Sequence, residues 1–485
     1  MLIAISACMG LAAVSLLLPS EPSYDPWAWL VWGREIGHLE LDTAGGPSWK
    51  PLPVALLVLA APLGDELPVA IWVVVARAGA LLALVFAYRL AARFAGGPAP
   101  LRALAGVTAA VLLALTPDWF QFVAHASEAP LAVALMLWAV ERHLDGRPRG
   151  ALALGALVCL MRPELFPFLA LYALWLGWVE PEQRRLVGAL LVAIPVAWLV
   201  PEWIGSGDPL DGGSQARSEP YWSLSHAEQP WLRAIERVHN HAGLAVELLA
   251  AAAVVAAVAL RQRAVLALAA AAALEAGLFA AMTQAGFSGN PRYVLPALVV
   301  LCVLAGTGAA RTAQAAAALS GSAGGARLSA AAGAAAGVAL VALLLAPLLD
   351  GRAGRLEFEA REVGRRMELQ RDLARAVDAA GGREALRALG SATTNRALHT
   401  RLAWELGYAI EEIERGYGHP VVLRTSDETL AGAVLVWGKA GERRLLARAG
   451  SFEVYRRLGV SYRLFTSPLQ GFDIRSGVRR VARAG

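Results

Sequence analysis

The feature that most constrains this chain is a series of long apolar runs within its first 349 residues. A helix that spans a bilayer needs about 20 mostly apolar residues, and many of the runs approach that length. The runs lie near residues 1–19, 67–93, 101–123, 127–143, 150–163, 165–179, 186–203, 241–260, 264–284, 292–310 and 328–349. The series predicts a mainly α-helical, polytopic transmembrane bundle with about eleven spans, because a helix satisfies its own backbone polar groups inside lipid.

Charged residues are distributed unevenly, and their distribution separates a second part of the chain. Asp, Glu, Lys and Arg number 83 (44 basic and 39 acidic), of which 41 lie in residues 350–485 and 42 in residues 1–349. Apolar residues make up 57% of the chain, against roughly 45–50% in a typical globular protein. This composition excludes an ordinary soluble enzyme, a disordered protein and a secreted disulfide scaffold. We therefore predict a transmembrane domain over residues 1–349 and a small soluble α/β domain over residues 350–485.

The polar part of the chain mixes helical and strand patterns. A charged amphipathic helix is predicted over residues 355–379, followed by strand, helix and strand in the segments ALRALGSATTN, RALHTRLAWELGY and HPVVLRTSD. Further strands are predicted in AVLVWGK, RRLLARAGSFEVYRRL and SYRLFTS, and a small-residue linker over residues 311–327. The polar part has no metal signature, nucleophile elbow or phosphate loop, so its simplest role is that of a lid or docking module.

Arginines in the short loops predict the orientation of the bundle, because cytoplasmic loops are enriched in basic residues. With the N-terminus in the cytoplasm, every inside loop is basic. The arginines of these loops are Arg89, Arg93, Arg102, Arg142, Arg147, Arg149, Arg184, Arg185, Arg261, Arg263, Arg311 and Arg327. We therefore predict a multi-pass protein of the plasma or inner membrane whose C-terminal domain is extracytoplasmic. The arginines form no single stripe, so a nucleic-acid partner is not expected.

Two residues of the first outside segment are candidates for chemistry. Asp25 lies among aromatic residues, where desolvation raises the basicity of a carboxylate and suits a general base. Alternatively, Asp25 is the N-cap of a helix over residues 26–36. Lys50 is one of two lysines in the chain and precedes a predicted surface helix over residues 51–63. It can meet a lipid phosphate, or it can anchor that helix as a snorkelling lysine.

A histidine and an acid lie at the outer end of a predicted span. The spacing of His125 and Glu128 places both on one face of a helix. The pair could bind a divalent cation or sugar hydroxyls, although two further metal ligands are not identified. The alternative is a carboxylate that caps the helix. The sequence predicts no cofactor and leaves a divalent metal cation open here.

Two arginines also stand at outer ends of spans. Arg162 and Glu164 lie between two short apolar runs, which indicates either a broken helix around a cavity or an internal ion pair that holds the break. Arg292 carries a planar fork that suits phosphate oxygens, or it is an interfacial arginine beside Tyr293. The simplest use of these acids and cations together is the binding of an anionic lipid headgroup next to a base.

Six motifs follow one another in a fixed order. They are an acid after the first helix (YDPWAW), a Lys-Pro that opens a surface helix (WKPLPVALLVLAAPLG), an RLA-type helix end (YRLAARFAGG), an acid that opens a span (HASEAPLAVAL), an arginine-proline (GALVCLMRPE) and a late GNPRYVLP. Over about residues 1–310 this order resembles the GT-C-fold glycosyltransferases that use polyprenyl-phosphate sugars, which include protein O-mannosyltransferases and lipid A aminoarabinose transferases. The segments HASEAPL and LMRPELFPF also resemble a group of actinobacterial membrane proteins.

The resemblance implies a role for each candidate residue. Asp25 would activate the acceptor hydroxyl as general base. Lys50, Arg162 and Arg292, with Tyr293 beside it, would hold the phosphate of the lipid carrier. Glu128, with His125, would bind sugar or metal. Two positions depart from the family pattern, because Pro26 stands where a second acid often follows and Trp49 where an acidic or polar residue often precedes the Lys-Pro.

The expected function is therefore that of an integral membrane glycosyltransferase. It would lie among membrane lipids and transfer a sugar from a polyprenyl-phosphate donor to a cell-envelope glycan, lipid or protein on the outer side of the membrane. The transfer would invert the anomeric configuration. One alternative is a transporter or flippase of lipid-linked sugars, which needs broken helices and charges near the bilayer midplane together with repeat symmetry. The sequence has no such repeat. The other alternative is a non-catalytic scaffold protein of the same fold.

Overall fold

The computed structural model describes residues 1–217, 223–321, 328–414, 419–425 and 443–458. Its first helices are α1 (Leu2–Val14), α2 (Tyr24–His38), α3 (Pro51–Ala60), α4 (Glu66–Ala95), α5 (Ala99–Ala114), α6 (Trp119–Ala124), α7 (Ala129–Leu144), α8 (Pro148–Cys159), α9 (Phe166–Val179), α10 (Arg184–Ser206) and α11 (Asp211–Arg217). They are followed by α12 (Pro230–Ala242), α13 (Leu244–Ala259), α14 (Arg263–Gln284), α15 (Pro291–Gly321), α16 (Leu328–Ala379), α17 (Gly382–Ala388), α18 (His399–Leu406) and α19 (Ile410–Glu414). The strands are β1 (Ala392–Thr393), β2 (Val421–Thr425), β3 (Arg443–Ala449) and β4 (Phe452–Arg457).

The helices are long and apolar enough for a multi-pass membrane protein. Among the described residues, five helices meet the length and composition of a span, and six do if α12 and α13, bent by 88°, count as one. The apolar runs predicted from the sequence are largely helical, although run 101–123 is divided between α5 and α6 and run 241–260 includes the break between α12 and α13. The polytopic helical bundle is confirmed, and the number of about eleven spans stays a prediction. The predicted surface helix is also present, as α3 and the 3₁₀ turn Ala61–Leu63.

Helix α15 forms the centre of the bundle and packs against α4, α5, α13, α14 and α16. Small residues let these neighbours approach closely. A Cβ atom added to Gly306 would lie 2.3 Å from the carbonyl oxygen of Ala105, and one added to Gly308 would lie 1.8 Å from that of Leu249. Backbones that touch in this way gain van der Waals contact, which is the main attraction between helices in lipid.

The linker predicted over residues 311–327 is wrong for the part that the structure describes. Helix α15 continues through this segment to Gly321, while residues 322–327 lie outside the described residues. Alanine is the best helix former, and a run of small residues serves close helix packing as well as it serves a flexible linker. Helix α16 then runs for 52 residues through the predicted domain boundary at residue 350 and includes the predicted helix 355–379. The division into two domains stays a prediction.

The C-terminal strands form a sheet in the order β1-β2-β4-β3, with β1 parallel to β2 and the other neighbours antiparallel. The strands predicted in RRLLARAGSFEVYRRL are confirmed as β3 and β4, which pair in antiparallel fashion. The ALRAL part of the predicted first strand is wrong, since these residues form the end of α17 and its C-cap Leu389; the helix is composed largely of strong helix formers. The strands predicted in AVLVWGK and SYRLFTS lie outside the described residues.

The C-terminal elements share a hydrophobic core with helix α2. Trp27, Trp29 and Trp32 of α2 are buried together with apolar residues of α16, α18, α19 and the sheet, including Leu402 and Ile410. Arg34 donates from α2 to the backbone oxygens of the α18 region at 3.0–3.3 Å. The end of the bundle that carries α2, here called the α2 end, therefore lies directly beneath the C-terminal elements.

Candidate active site

Helix α2 places Asp25 at its first turn. The N-cap is Ser23, and the helix begins at Tyr24, so Asp25 is not the N-cap of a helix over 26–36. Pro26 occupies the first turn without penalty, because the N–H group that it lacks has no partner inside the helix at that position. The tryptophans that follow are buried and fix the start of the helix against its surroundings.

The carboxylate of Asp25 contacts two cations from distant parts of the chain. It accepts a hydrogen bond from the guanidinium of Arg292, at the start of α15. The Lys50 amino group lies 4.0 Å from the same Asp25 oxygen. The predicted acid and two of the predicted cations therefore meet in one place.

Lys50 is buried immediately before α3, which begins with Pro51. Its Nζ donates a hydrogen bond to Glu128 and lies 5.1 Å from the centre of the Trp29 ring. Burial lowers the pKa of Lys50 below its usual value, and the neighbouring carboxylate of Glu128 opposes that shift. The lysine is thus an enclosed charge between two acids, not a snorkelling anchor at a surface.

Glu128 and His125 do not lie on one helix, so that part of the prediction is wrong. Helix α6 ends at Ala124, Ala126 has a left-handed backbone with a φ of +53°, and Glu128 is the N-cap of α7. The imidazole Nδ1 of His125 lies 3.1 Å from the carbonyl oxygen of Glu21, and burial lowers the pKa of the ring. His125 therefore contacts the segment that leads into α2, while Glu128 contacts the cations.

Arg162 lies at a break between two helices, as predicted. Helix α8 ends at Cys159, and a 3₁₀ turn over Pro163–Leu165 precedes α9. One guanidinium nitrogen of Arg162 lies 3.6 Å from both Glu128 and Glu164, and the other donates to the carbonyl oxygen of Arg292.

Tyr293 lies beside both arginines of this cluster. Its ring centre is 5.5 Å from the guanidinium carbon of Arg162 and 5.6 Å from that of Arg292. The aromatic face can stabilise both cations in a site with little water. All predicted site residues except His125 therefore belong to one contiguous cluster, here called the ion cluster: Asp25, Lys50, Glu128, Arg162, Glu164, Arg292 and Tyr293.

A cavity of about 540 Å³ lies between α7, α8, α9, α14 and α15. Its walls are almost entirely apolar. Cys159 and Leu165, which flank the turn of Arg162, line one part of the cavity, and His143 and Leu144 line another part near the far end of α7. The buried acid Glu275 of α14 also lines the cavity. This apolar space therefore lies next to the turn that carries Arg162 of the ion cluster.

A solved structure has the same arrangement of helices and C-terminal elements. The crystal structure of ArnT from Cupriavidus metallidurans bound to undecaprenyl phosphate matches this chain with a TM-score of 0.53 at 14% sequence identity, and the match covers 95% of this chain and 98% of that chain. The chain has the GT-C fold. The fold implied by the sequence resemblance is thereby confirmed. No protein-family model matches the sequence, and no curated protein matches it.

The ion cluster within this GT-C fold has balanced charge but spare hydrogen-bond donors. Three cations face three carboxylates: Lys50, Arg162 and Arg292 against Asp25, Glu128 and Glu164. Balanced pairing limits the cost of burying these charges. Nε of Arg292 and the indole N–H of Trp29, which lies beside the cluster, are buried and have no hydrogen-bond partner among the described residues, and neither does the acceptor Oε1 of Glu164. Unpaired buried donors favour an oxygen-rich or anionic ligand.

Sequence reasoning missed the part that Trp29 plays beneath Lys50. A signal was available, because Trp29 follows Asp25 by four residues and shares its helix face. In the portion of the chain that the structure describes, no group of three or more His, Cys, Asp or Glu side chains is arranged to hold a metal ion. In the ion cluster, Glu128 instead pairs with Lys50 and Arg162.

Proposed function

We propose that this protein is an integral membrane glycosyltransferase that transfers a sugar from a polyprenyl-phosphate donor to a cell-envelope acceptor. The observation that carries the proposal is the ion cluster beside an apolar cavity within a GT-C fold. A lipid-linked sugar needs an anion site next to an apolar channel, and the two lie side by side here. The donor class is also supported by the ArnT crystal structure, which holds bound undecaprenyl phosphate.

The phosphate of the donor would lie at Arg292 and Lys50. Arg292 offers a planar fork whose Nε is unpaired among the described residues, and Lys50 offers a compact charge. Arg162 holds the backbone of Arg292 and so fixes the direction of that fork. The polyprenyl tail, which is apolar, suits the cavity of about 540 Å³ lined by Cys159 and Leu165.

Asp25 would act as the general base. A phosphate that reaches Arg292 competes with the Asp25 carboxylate for the same guanidinium, and so frees this carboxylate to accept the proton of an acceptor hydroxyl. The acceptor oxygen then forms a bond to the anomeric carbon while the bond from that carbon to the phosphate oxygen breaks. The lipid phosphate leaves with the electron pair, stabilised by Arg292 and Lys50. A single displacement of this kind inverts the anomeric configuration.

Glu128 and Tyr293 would shape the cluster around the donor. Glu128 balances the charges of Lys50 and Arg162, and its proposed contact to the sugar follows from its place beside both cations.

We propose that the α2 end faces the extracytoplasmic side of the plasma or inner membrane, because the short loops at the other end carry the arginines. The C-terminal elements would then lie outside the cytoplasm as well.

An in-vitro transfer assay tests the proposed function. The purified full-length chain is incubated with a panel of polyprenyl-phosphate sugars and cell-envelope acceptors, and sugar transfer and anomeric configuration are measured. We expect transfer with at least one donor, and a loss of about 10²–10⁴-fold in kcat for Asp25→Asn. The affinity of this variant for undecaprenyl phosphate should equal or exceed that of the parent, because the carboxylate that competes for Arg292 is removed. Transfer by this variant at the parental rate would exclude Asp25 as the base.

The assay also separates the two alternatives. A flippase would move lipid-linked sugars across vesicle membranes without changing their covalent structure. A scaffold protein would do neither. Binding of undecaprenyl phosphate without transfer from any donor would therefore overturn the enzymatic proposal, and a vesicle translocation assay on the same preparation would identify a flippase.

A further inference from the structure

The segment between Asp25 and Lys50 carries both the proposed base and one of the proposed phosphate-binding cations. It consists of α2 and the loop that leads from Leu39 to α3. Both of its ends must be held in place for the two side chains to meet. The loop contains the sequence AGG at residues 44–46, and it contacts the C-terminal helix α19.

Glu414, the last residue of α19, contacts both ends of this segment. Its Oε1 accepts a hydrogen bond from the phenol of Tyr24 at 2.5 Å, and its Oε2 accepts one from the backbone N–H of Gly46 at 3.2 Å. Tyr24 directly precedes Asp25, and Gly46 lies four residues before Lys50. A single carboxylate therefore links the two parts of the chain that deliver the base and the cation.

The loop is shaped for this contact. A Cβ atom added to Gly45 would lie 2.7 Å from the backbone nitrogen of Glu411, so no side chain fits between the loop and α19. Gly46 has a φ of +94°, a conformation that residues with a side chain rarely adopt, and a Cβ atom added there would lie 3.0 Å from Ile410. The adjacent glycines thus serve a close approach to α19.

The negative charge of Glu414 is also stabilised by a residue of the C-terminal elements. Nδ1 of His399 lies 3.6 Å from Oε1 of Glu414. Burial acts to raise the pKa of Glu414, but His399 and the hydrogen bonds from Tyr24 and Gly46 outweigh it, and the pKa lies below its usual value. Glu414 therefore remains an ionised acceptor at neutral pH, and charge-assisted hydrogen bonds are the stronger kind.

We infer that Glu414 is a positioning residue of the transfer reaction: it links Tyr24 to Gly46 and thereby sets the positions of Asp25 and Lys50 relative to each other. The inference rests on the proposed function. It gives the C-terminal elements a definite task at the active site. Small displacements of reacting groups are costly, since a misplacement of about 1 Å can lower a rate by about 10²-fold.

The test compares Glu414→Ala, Glu414→Gln and Tyr24→Phe with the parent in the full-length chain. The matched control is Glu412→Gln, because Glu412 lies on the same short helix, is exposed and accepts a hydrogen bond from the backbone N–H of Ala409. Three experiments are made. They measure amide hydrogen exchange in peptides that cover residues 39–49, the Kd for undecaprenyl phosphate, and the steady-state kcat and KM for the lipid-linked donor.

We expect Glu414→Ala to speed exchange at Gly46 at least about tenfold, since the N–H group loses its acceptor. The Kd and the KM should rise and kcat should fall, with kcat/KM lower by about ten- to a hundredfold. A smaller folded fraction would lower the rate at every donor concentration and leave KM unchanged, so the rise in KM separates positioning from misfolding. Tyr24→Phe should lower kcat, and adding it to Glu414→Ala should cost no more than about a further twofold, because both changes break the same link.

Two results would overturn the inference. One is exchange at residues 39–49 that does not change in Glu414→Ala. The other is faster exchange with the parental Kd and kcat/KM, which would make the bond merely structural. If the parent transfers no sugar but Glu414→Ala weakens binding of undecaprenyl phosphate, the proposed function fails while the positioning of Lys50 by Glu414 stands. If the parent does not bind undecaprenyl phosphate at all, both fail.

Discussion

The two ends of the helix bundle carry the same kinds of ion pair in opposite surroundings. At the α2 end, the side chains of Lys50 and Glu128 are 6% and 1% exposed. At the far end, here called the distal end, Arg93 pairs with Asp145 at 2.6 Å, and these side chains are 41% and 32% exposed. Exposed pairs contribute little to stability because water and salt screen them, whereas a buried charge without its partner is very costly. The Arg93–Asp145 pair is therefore kept at low cost, whereas the burial of Lys50 and Glu128 carries a cost that a role in binding or catalysis would explain.

The largest expected difference between the two ends concerns the arginine that each end pairs with an aspartate. Arg292→Leu removes the cation that would stabilise the departing phosphate, and we expect a loss of about 10²–10³-fold in kcat. The same change at the distal end, Arg93→Leu, should leave kcat within about twofold of the parent. Steady-state kinetics with a lipid-linked donor measure both. Equal losses in the two variants would remove the distinction between the two ends.

A large effect on stability is expected from Glu128→Gln. The substitution leaves Lys50 and Arg162 in a buried place without their shared carboxylate. Removing one partner of a buried pair typically destabilises a protein by about 3–5 kcal/mol. The thermal midpoint in detergent should therefore fall clearly, and the fall should persist in high salt because buried pairs are poorly screened. An unchanged midpoint would show that the Asp25 carboxylate alone can balance Lys50.

A pH-dependent effect is expected from Glu35, a buried acid of the α2 end that lies beside a single hydrogen-bond donor. Its Oε2 accepts a hydrogen bond from the backbone N–H of Asp42 at 3.0 Å, and Oε1 has no partner among the described residues. Burial raises the pKa of Glu35 to about 8 from 4.5. Between pH 4.5 and about 8, the folded state therefore binds more protons at Glu35 than the unfolded state does. The contribution of Glu35 to the free energy of unfolding is fully present below pH 4.5 and is lost as the pH rises through about 8.

Glu35→Gln should remove this dependence. The amide keeps an acceptor for Asp42 and cannot ionise, so the midpoint of the variant should exceed that of the parent above the pKa of about 8. Thermal midpoints are measured from acidic to alkaline pH in a non-reactive buffer series. Glu40→Gln, at an exposed position in the same segment, is the control and should follow the parent. The prediction fails if the parent and Glu35→Gln lose stability equally with rising pH.

The smallest effect is expected from Asp145→Asn at the distal end. The substitution breaks the pairs of Asp145 with Arg93 and Arg142, both of which are at least partly exposed. Exposed pairs are typically worth about 0–1 kcal/mol. The midpoint should therefore change little, and any change should vanish in high salt. A fall as large as that of Glu128→Gln would mean that burial does not distinguish the two ends.

Much of the fold and most residues of the ion cluster could be predicted from the sequence. Apolar runs report helices directly, because lipid and the bundle interior both demand apolar side chains. Asp25 was conspicuous because it lies among aromatic residues, and Lys50 because it is one of two lysines in the chain. Arg292 was conspicuous because it stands at the end of an apolar run, where a charge needs a partner or a task. The ion cluster brings these three residues together.

The pairing of those residues could not be predicted. Asp25 and Arg292 are 267 residues apart, and their contact depends on how α2 and α15 pack. The break between His125 and Glu128 was missed because it occurs at Ala126, where the left-handed backbone is marked by neither glycine nor asparagine. The proposed positioning role of Glu414 could not be predicted from its neighbours in the sequence either, since it arises only when α19 contacts a distant loop.

Helix α16 joins the bundle to the C-terminal elements without interruption. Its 52 residues extend about 78 Å along the axis, whereas the hydrocarbon core of a bilayer is about 30 Å thick. Membrane helices adapt to bilayer thickness by tilting. The polar half of α16 contacts the sheet, for example through Asp372, which accepts a hydrogen bond from the backbone N–H of Ser451 at 2.7 Å. A tilt of the apolar half would therefore move the C-terminal elements. We therefore expect the lipid chain length to change how the C-terminal elements lie over the α2 end, and with it the rate of the proposed transfer.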